Sequence, residues 1–129
     1  MKPNFVMIGA TCAALGIALG AFGAHALRGQ IAPAELGLWE TATRYWLVGS
    51  LGMLLFGVYR RTRELGATPT SQPAPSAAAG WLLLGGSILF AGSLYGLALG
   101  APRFLGVVTP FGGAGLIAGF TCFALSART

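Results

Sequence analysis

The side chains able to do chemistry in this chain are few: one histidine, His25, and three acids, Glu35, Glu40 and Glu64. Imidazole titrates near neutrality and is the commonest metal ligand, so His25 is a candidate proton relay or ligand. A metal needs several convergent donors, and His25 with Glu40 supplies too few. The ordinary role of a histidine at a helix end is to bond a neighbour or cap the C-terminus. Cys12 and Cys122 both fall inside apolar runs. They lack the spacing of a zinc site and the density of a disulfide framework, and read as small, free, apolar side chains. Paired carboxylates, a nucleophile beside a base, or a phosphate loop cannot be assembled from this set. Gly112-Gly113-Ala114-Gly115 lies inside an apolar run rather than after a soluble strand, which argues against a nucleotide loop. The expectation is a protein that is not an enzyme, with no catalytic residue, metal or cofactor.

The elements that position these residues are set by composition. Of 129 residues, 55% are hydrophobic and only 9% charged, where a soluble domain carries about 25% charged residues. Mean hydropathy is +0.74. There is too little polar surface to face water, so lipid must cover the rest, and the bilayer is the first partner implied. Four apolar stretches, residues 5–27, 41–59, 80–100 and 104–127, are each near the ~20 residues that cross a hydrocarbon core as a helix. The fold class predicted is therefore an all-α integral membrane protein, a single domain built as a four-transmembrane-helix bundle. Lys2 ahead of a run ending in Ala24-His25-Ala26 resembles a signal peptide, but the run exceeds the usual 7–15 residue core of such peptides, and a retained helix is expected. Residues 60–79 are basic and then rich in Pro, Ser, Thr and Ala, as in a mobile loop. Between spans 1 and 2, Pro33 suits a first helical turn and Leu36 and Trp39 share a face, predicting a short interfacial helix that runs into the second span. Glu40 and Arg44 stand four apart on it, a favourable spacing.

A net charge of +5 raises the question of nucleic acid. The densest cluster, Arg60, Arg61 and Arg63, directly follows an apolar run, where a positive-inside loop belongs, and no basic face interleaves with aromatics. No nucleic-acid partner is expected. Lys2, Arg60, Arg61, Arg63 and Arg128 fall on one side of four spans, and Arg28, Arg44 and Arg103 on the other. That bias predicts cytoplasmic N- and C-termini and a cytoplasmic linker, in a plasma membrane of the bacterial inner-membrane type.

Polar side chains within spans are costly unless paired and are therefore candidates for function. Under this topology they gather in the outer half: His25, Glu40, Arg44, Tyr45, Ser93, Tyr95 and Thr109. Hydroxyls such as those of Ser93 and Tyr95 most simply bridge helices, and Pro110 reads as a proline of the first helical turn. Glycines recur at helical spacing, at Gly16 and Gly20, at Gly92, Gly96 and Gly100, and at Gly115 and Gly119, while Gly9, Gly16 and Gly23 repeat every seven residues; Gly112 and Gly113, just beyond Pro110, leave room for a neighbouring helix. Small residues at such spacing let helix backbones approach closely in lipid. Counting inward from the helix ends puts Cys12 and Cys122 at one depth, within ~3 Å.

Three motifs, Gly20-Ala21-Phe22-Gly23-Ala24-His25, Gly92-Ser93-Leu94-Tyr95 and Thr109-Pro110-Phe111-Gly112-Gly113, in this order and spacing, resemble the YgdD/YwdK-like family of small membrane proteins, built on a domain of unknown function. The resemblance covers nearly the whole chain. It implies a four-helix inner-membrane protein without an established biochemical activity. Members usually carry a tyrosine-glutamine pair followed by a histidine; here Trp46 follows Tyr45 and Gly49 stands at the histidine position. The resemblance therefore carries no paired-histidine metal site onto this chain.

These readings converge on a non-enzymatic membrane protein acting by contact, as an accessory subunit of a larger membrane complex or as a homo-oligomer. A small transporter or channel is the alternative, as is a lipid- or quinone-binding protein with its site in the outer-half cluster. Coupled cation transport needs an ionisable relay within the membrane, and all three glutamates fall in connections or at an interface.

Overall fold

The computed structural model describes residues 1–68 and 72–128; the linker residues between these segments and the last residue lie outside it. Helix α1 spans Phe5–Phe22 and continues as a π-helical turn, Gly23–Leu27; α2 spans Pro33–Leu65, α3 Ala78–Ala98 and α4 Leu105–Ser126. Each start has a local cause. Asn4 caps α1 by accepting the Met7 N–H, and Pro33 enters α2 where its missing donor costs nothing. The connection from α1 to α2 is a tight turn on the Leu27 carbonyl, which accepts from Gln30 N (2.9 Å) and Ile31 N (3.2 Å), with Gly29 at φ 83°.

Three helical stretches are long and apolar enough to cross a membrane: Phe5–Leu27, Ala78–Ala98 and Leu105–Ser126. Helix α2 is not among them, because arginines and glutamates occupy both its ends. At 33 residues it measures about 50 Å, more than a hydrocarbon core. It runs without a break, so residues 33–40 form its opening turns rather than a separate helix. At the other end the loop expected over residues 60–79 begins later, because α2 continues to Leu65. An Arg60–Glu64 pair at 3.6 Å, the Thr62 hydroxyl on the Tyr59 carbonyl (2.7 Å) and the lack of a breaker before Gly66 hold these extra turns. Residues 72–76 have no regular secondary structure.

Each helix packs antiparallel against its neighbours in the chain, with α2 and α3 in the middle and α1 and α4 as flanks. The apolar stretches of α1 and α4 are each 17% buried, against 39% for α3, so most of their surface faces outward. The core stacks in layers along the helices: Phe5, Phe56 and Ala79 at one end, then Met53, Leu83 and Leu116, then Ala42, Ala91 and Leu94, then Leu27, Trp39 and Ala98. The two free cysteines do not share a depth. Cys122 packs on the first layer and Cys12 on the second. The helix ends are not flush: the Tyr59 hydroxyl reaches Ser126 O on α4 at 2.6 Å, whereas α1 already begins beside Gly57.

Pro110 is the sixth residue of α4, beyond the first turn expected for it. Its ring removes the donor that would have bonded the Gly106 carbonyl.

Candidate functional site

In lipid a tryptophan N–H must find an acceptor inside the protein. The chain solves this by matching two seven-residue spacings. Trp39 lies over Gly23 and donates to the Leu19 carbonyl at 2.8 Å; Trp46 lies over Gly16 and donates to the Cys12 carbonyl at 2.7 Å. In each case the accepting carbonyl is four residues before the glycine. Leu19 O also accepts the Gly23 N–H, so the indole uses its second lone pair. A Cβ at Gly23 would sit 2.5 Å from Trp39 Cδ1, and one at Gly16 2.8 Å from Trp46 Cδ1. One heptad further, Gly9 meets backbone instead, with Ser50 O at 2.7 Å and Leu54 N at 2.5 Å. The glycine heptad of α1 is thus the complement of the tryptophan spacing of α2.

The residues expected to form one outer-half cluster separate into bonded pairs and exposed side chains. Tyr95 on α3 and Thr43 on α2 are 2.7 Å apart. Thr43 spends its own proton on the Trp39 carbonyl (3.0 Å), so the tyrosine donates. The Tyr95 ring lies 4.4 Å from that of Trp39. Ser93 on α3 and Thr109 on α4 are 2.6 Å apart; Ser93 also faces the Phe90 carbonyl (2.9 Å) and Thr109 the Leu105 carbonyl (3.3 Å), so one hydroxyl donates across the helices while the other donates to its own backbone. Glu40 reaches Arg28 at 3.9 Å on the surface. Arg44 and His25 are exposed. Tyr45 is 42% exposed, and its ring meets Phe90 edge-on at 4.8 Å. Among the described residues no three of His, Cys, Asp or Glu converge as a metal site.

The structure adds residues that sequence reasoning passed over. Thr43, the two indoles and Ser50, which donates to the Trp46 carbonyl at 2.6 Å, make the polar contacts of the middle of α2. The seven-residue match between tryptophans and glycines was a usable signal. Ser87, a polar residue of the third span outside the expected cluster, is 1% exposed, its Oγ lacks a partner, and it faces Gly49 so closely that a Cβ at Gly49 would overlap the hydroxyl.

The glycine stripes divide too. Gly112 and Gly119 admit α3, at Phe90 and Leu83, and a Cβ at Gly115 would stand 3.1 Å from Gly86 Cα; Gly16, Gly20 and Gly23 admit α2. Gly96 meets Leu105, and Gly113 is in ordinary contact with the Phe90 ring. Gly92 and Gly100, expected in a packing stripe, face open space. The α3 face that meets α4 runs through Gly86, Phe90 and Ser93, leaving Gly92 on the other side. Gly100 follows the end of α3 at φ 89°, a conformation that favours glycine on backbone grounds. The close approaches on α2 and α3 fall instead at Gly49, Gly52, Gly57, Gly80 and Gly86.

Where α2 and α4 splay apart over α3, an apolar groove of about 560 Å³ opens outward, with Tyr45, Phe90, Leu116, Phe120 and Thr121 among its lining. Tyr45 is the one member of the predicted cluster that lines it.

The comparisons with known proteins agree with the motifs. The family profile described as "Protein of unknown function (DUF423)" matches residues 19–113, which contain all three. The chain is 38% identical to a UPF0382 membrane protein of Staphylococcus haemolyticus, over 95% of this chain and 93% of that one. It is 35% identical to the UPF0382 membrane protein YwdK of Bacillus subtilis, over 95% and 94%, and 39% identical to a UPF0382 membrane protein of Staphylococcus aureus, over 90% and 88%. No solved structure matches. With its motifs, the profile match and these identities along nearly its whole length in agreement, the chain belongs to the DUF423 family, whose relatives here are named as membrane proteins.

Proposed function

We propose that this protein crosses the bacterial plasma membrane four times, both termini inside, and acts without chemistry of its own, by presenting α1 to another membrane helix. That helix belongs to a larger complex in which this chain is an accessory subunit, or to a second copy. The observation that carries the reading is a run of exposed small residues at helical spacing on α1, Ala10, Ala14, Ala18 and Ala21, of the kind membrane helices use to meet each other. Larger exposed side chains, Met7, Leu15, Ile17 and Phe22, flank it. On α4 the exposed small residues, Gly106, Ala114, Thr121 and Ala124, form no such four-residue series. Tyr95, Ser93 and Thr109, meanwhile, are occupied in bonds between neighbouring helices. The span count is supported by consecutive antiparallel packing and the apolar middle of α2, and the orientation by the five basic residues at the end holding Lys2 and Arg60.

The test is extraction in a mild detergent followed by mass determination, with Ala14→Leu as the probe. A stoichiometric partner or a dimer, lost in the variant while the fold is kept, is expected. A lone monomer indifferent to Ala14→Leu rejects the reading. Cysteine labelling at positions 63 and 103 from the two sides of the membrane tests the orientation.

The groove between α2 and α4 favours a second reading, a site for an apolar ligand such as a lipid or quinone, since it is mostly apolar with Tyr45 and Thr121 as orienting groups. Native mass spectrometry that recovers no ligand from membrane extracts would count against it.

A further inference from the structure

At the end of the molecule where α1 begins and α2 finishes, a pocket of about 200 Å³ is lined by Lys2, Asn4, Arg60, Arg61 and Glu64. We propose that it binds the phosphate group of an anion, which the bilayer offers as a lipid headgroup and the cytoplasm as free phosphate. Three cations meet one carboxylate there. Glu64 is shared between Lys2 at 3.5 Å and Arg60 at 3.6 Å, both longer than the 2.7–2.9 Å of a tight charge-assisted bond. One loosely held acid leaves both cations with unused capacity, and among the described residues Arg61 makes no ion pair.

Arg60 carries the argument further. Its side chain is 16% exposed, and its Nε is buried with no acceptor. An unfilled guanidinium donor is costly in so covered a position. Turning the side chain out of its loose 3.6 Å pairing with Glu64 exposes that donor to the pocket, where the planar guanidinium presents Nε and Nη as a fork to a phosphate oxygen. The first turn of α1, capped by Asn4, adds the positive end of its dipole to the same pocket. Phe5, buried among Phe56, Ala79 and Trp81, anchors the start of α1 beside the apolar core. A headgroup reaching Lys2 and Arg61 therefore keeps its acyl chains along the helices. The lipid source rests on α1 being a membrane span, and neither source depends on the partner proposed above.

The decisive comparison uses the full-length protein in a neutral detergent. Native mass spectrometry measures retention of added phosphatidylglycerol against phosphatidylcholine, and equilibrium dialysis measures binding of labelled inorganic phosphate. Variants are Lys2→Gln with Arg61→Gln, both at exposed positions, and separately Glu64→Gln. Removing Glu64 takes away the internal competitor, so it tightens binding about two- to fivefold, whereas the double variant weakens it by a similar factor or more, as expected for single charges near a surface. Selective retention of phosphatidylglycerol with this opposite ordering supports a lipid site. Equal lipid retention with phosphate bound in the same ordering supports a soluble anion. No selective binding of either probe, or a Glu64→Gln variant that binds more weakly than the parent, overturns the proposal. Failure here leaves the helix-contact reading untouched, because mass and partner stoichiometry are measured separately.

Discussion

Replacing Gly86 with alanine tests the reasoning about close approach where it is strictest. The added methyl would stand 2.6 Å from Leu116 N, 2.8 Å from Gly115 C and 2.9 Å from Gly112 O. All three are backbone atoms, so no side chain can turn away. Ordinary Cβ contact begins near 3.4 Å, which leaves the methyl about 0.8 Å short against Leu116, and α3 and α4 must separate by roughly that much. Two turns along, the Ser93–Thr109 bond at 2.6 Å would open to about 3.4 Å, outside hydrogen-bond range. Overpacking of this kind costs about 1–3 kcal/mol and a lost interhelical bond in a membrane about 0.6 kcal/mol. At about 2 kcal/mol the ratio of folded to unfolded protein falls roughly thirtyfold. Gly92→Ala, on the same helix, is the control: its methyl meets nothing within 4 Å, and alanine is the better helix former. Unfolding both variants in mixed micelles by sodium dodecyl sulfate titration, followed by circular dichroism, reads the difference. Equal midpoints for the two would refute the claim that backbone contact between α3 and α4 is limited at Gly86.

Trp46→Phe and Trp39→Phe each lose one indole donor and should each cost about 0.6 kcal/mol and no more than about 1.7, adding nearly independently in the double variant because the two sites are two helical turns apart; the same titration measures this. Ser87→Ala removes a buried hydroxyl without a partner and should be neutral or stabilising by about 1 kcal/mol. Gly49→Ala should destabilise, because its methyl meets the Ser87 hydroxyl and lies 3.2 Å from Leu116 Cδ2, and combining the two should recover part of the loss in a double-mutant cycle. Tyr95→Phe should cost about 0.6 kcal/mol through the Thr43 bond, whereas His25→Ala, at an exposed side chain, should leave the midpoint within about 0.5 kcal/mol. A larger effect of His25→Ala than of Tyr95→Phe would reverse the assignment of which polar residue α3 needs.

Much of this architecture is legible in the amino-acid sequence. The apolar stretches at residues 5–27, 80–100 and 104–127 match α1 with its π turn, α3 and α4 to within a few residues, because a helix buried in lipid must be apolar along its whole length. The limits of α2 were not legible. Its helix continues through Arg60–Leu65, where composition changes to a loop-like mixture but neither proline nor glycine intervenes. Of the hydroxyls expected in one cluster, Tyr95 and Ser93 meet Thr43 and Thr109 in two separate bonds, because position along a helix cannot tell one shared site from two.

What the amino-acid order determines by itself is the set of demands: apolar lengths that only lipid can cover, hydroxyls and indoles that need acceptors, and small residues that permit contact. Only the tertiary structure decides how those demands are met. Gly86 and Gly92 are the same residue on the same helix six positions apart, yet one touches the backbone of α4 and the other nothing. The reason is geometric. A helix apolar on every side carries no periodic mark of which face turns inward, so its rotation is set by the neighbours it packs against.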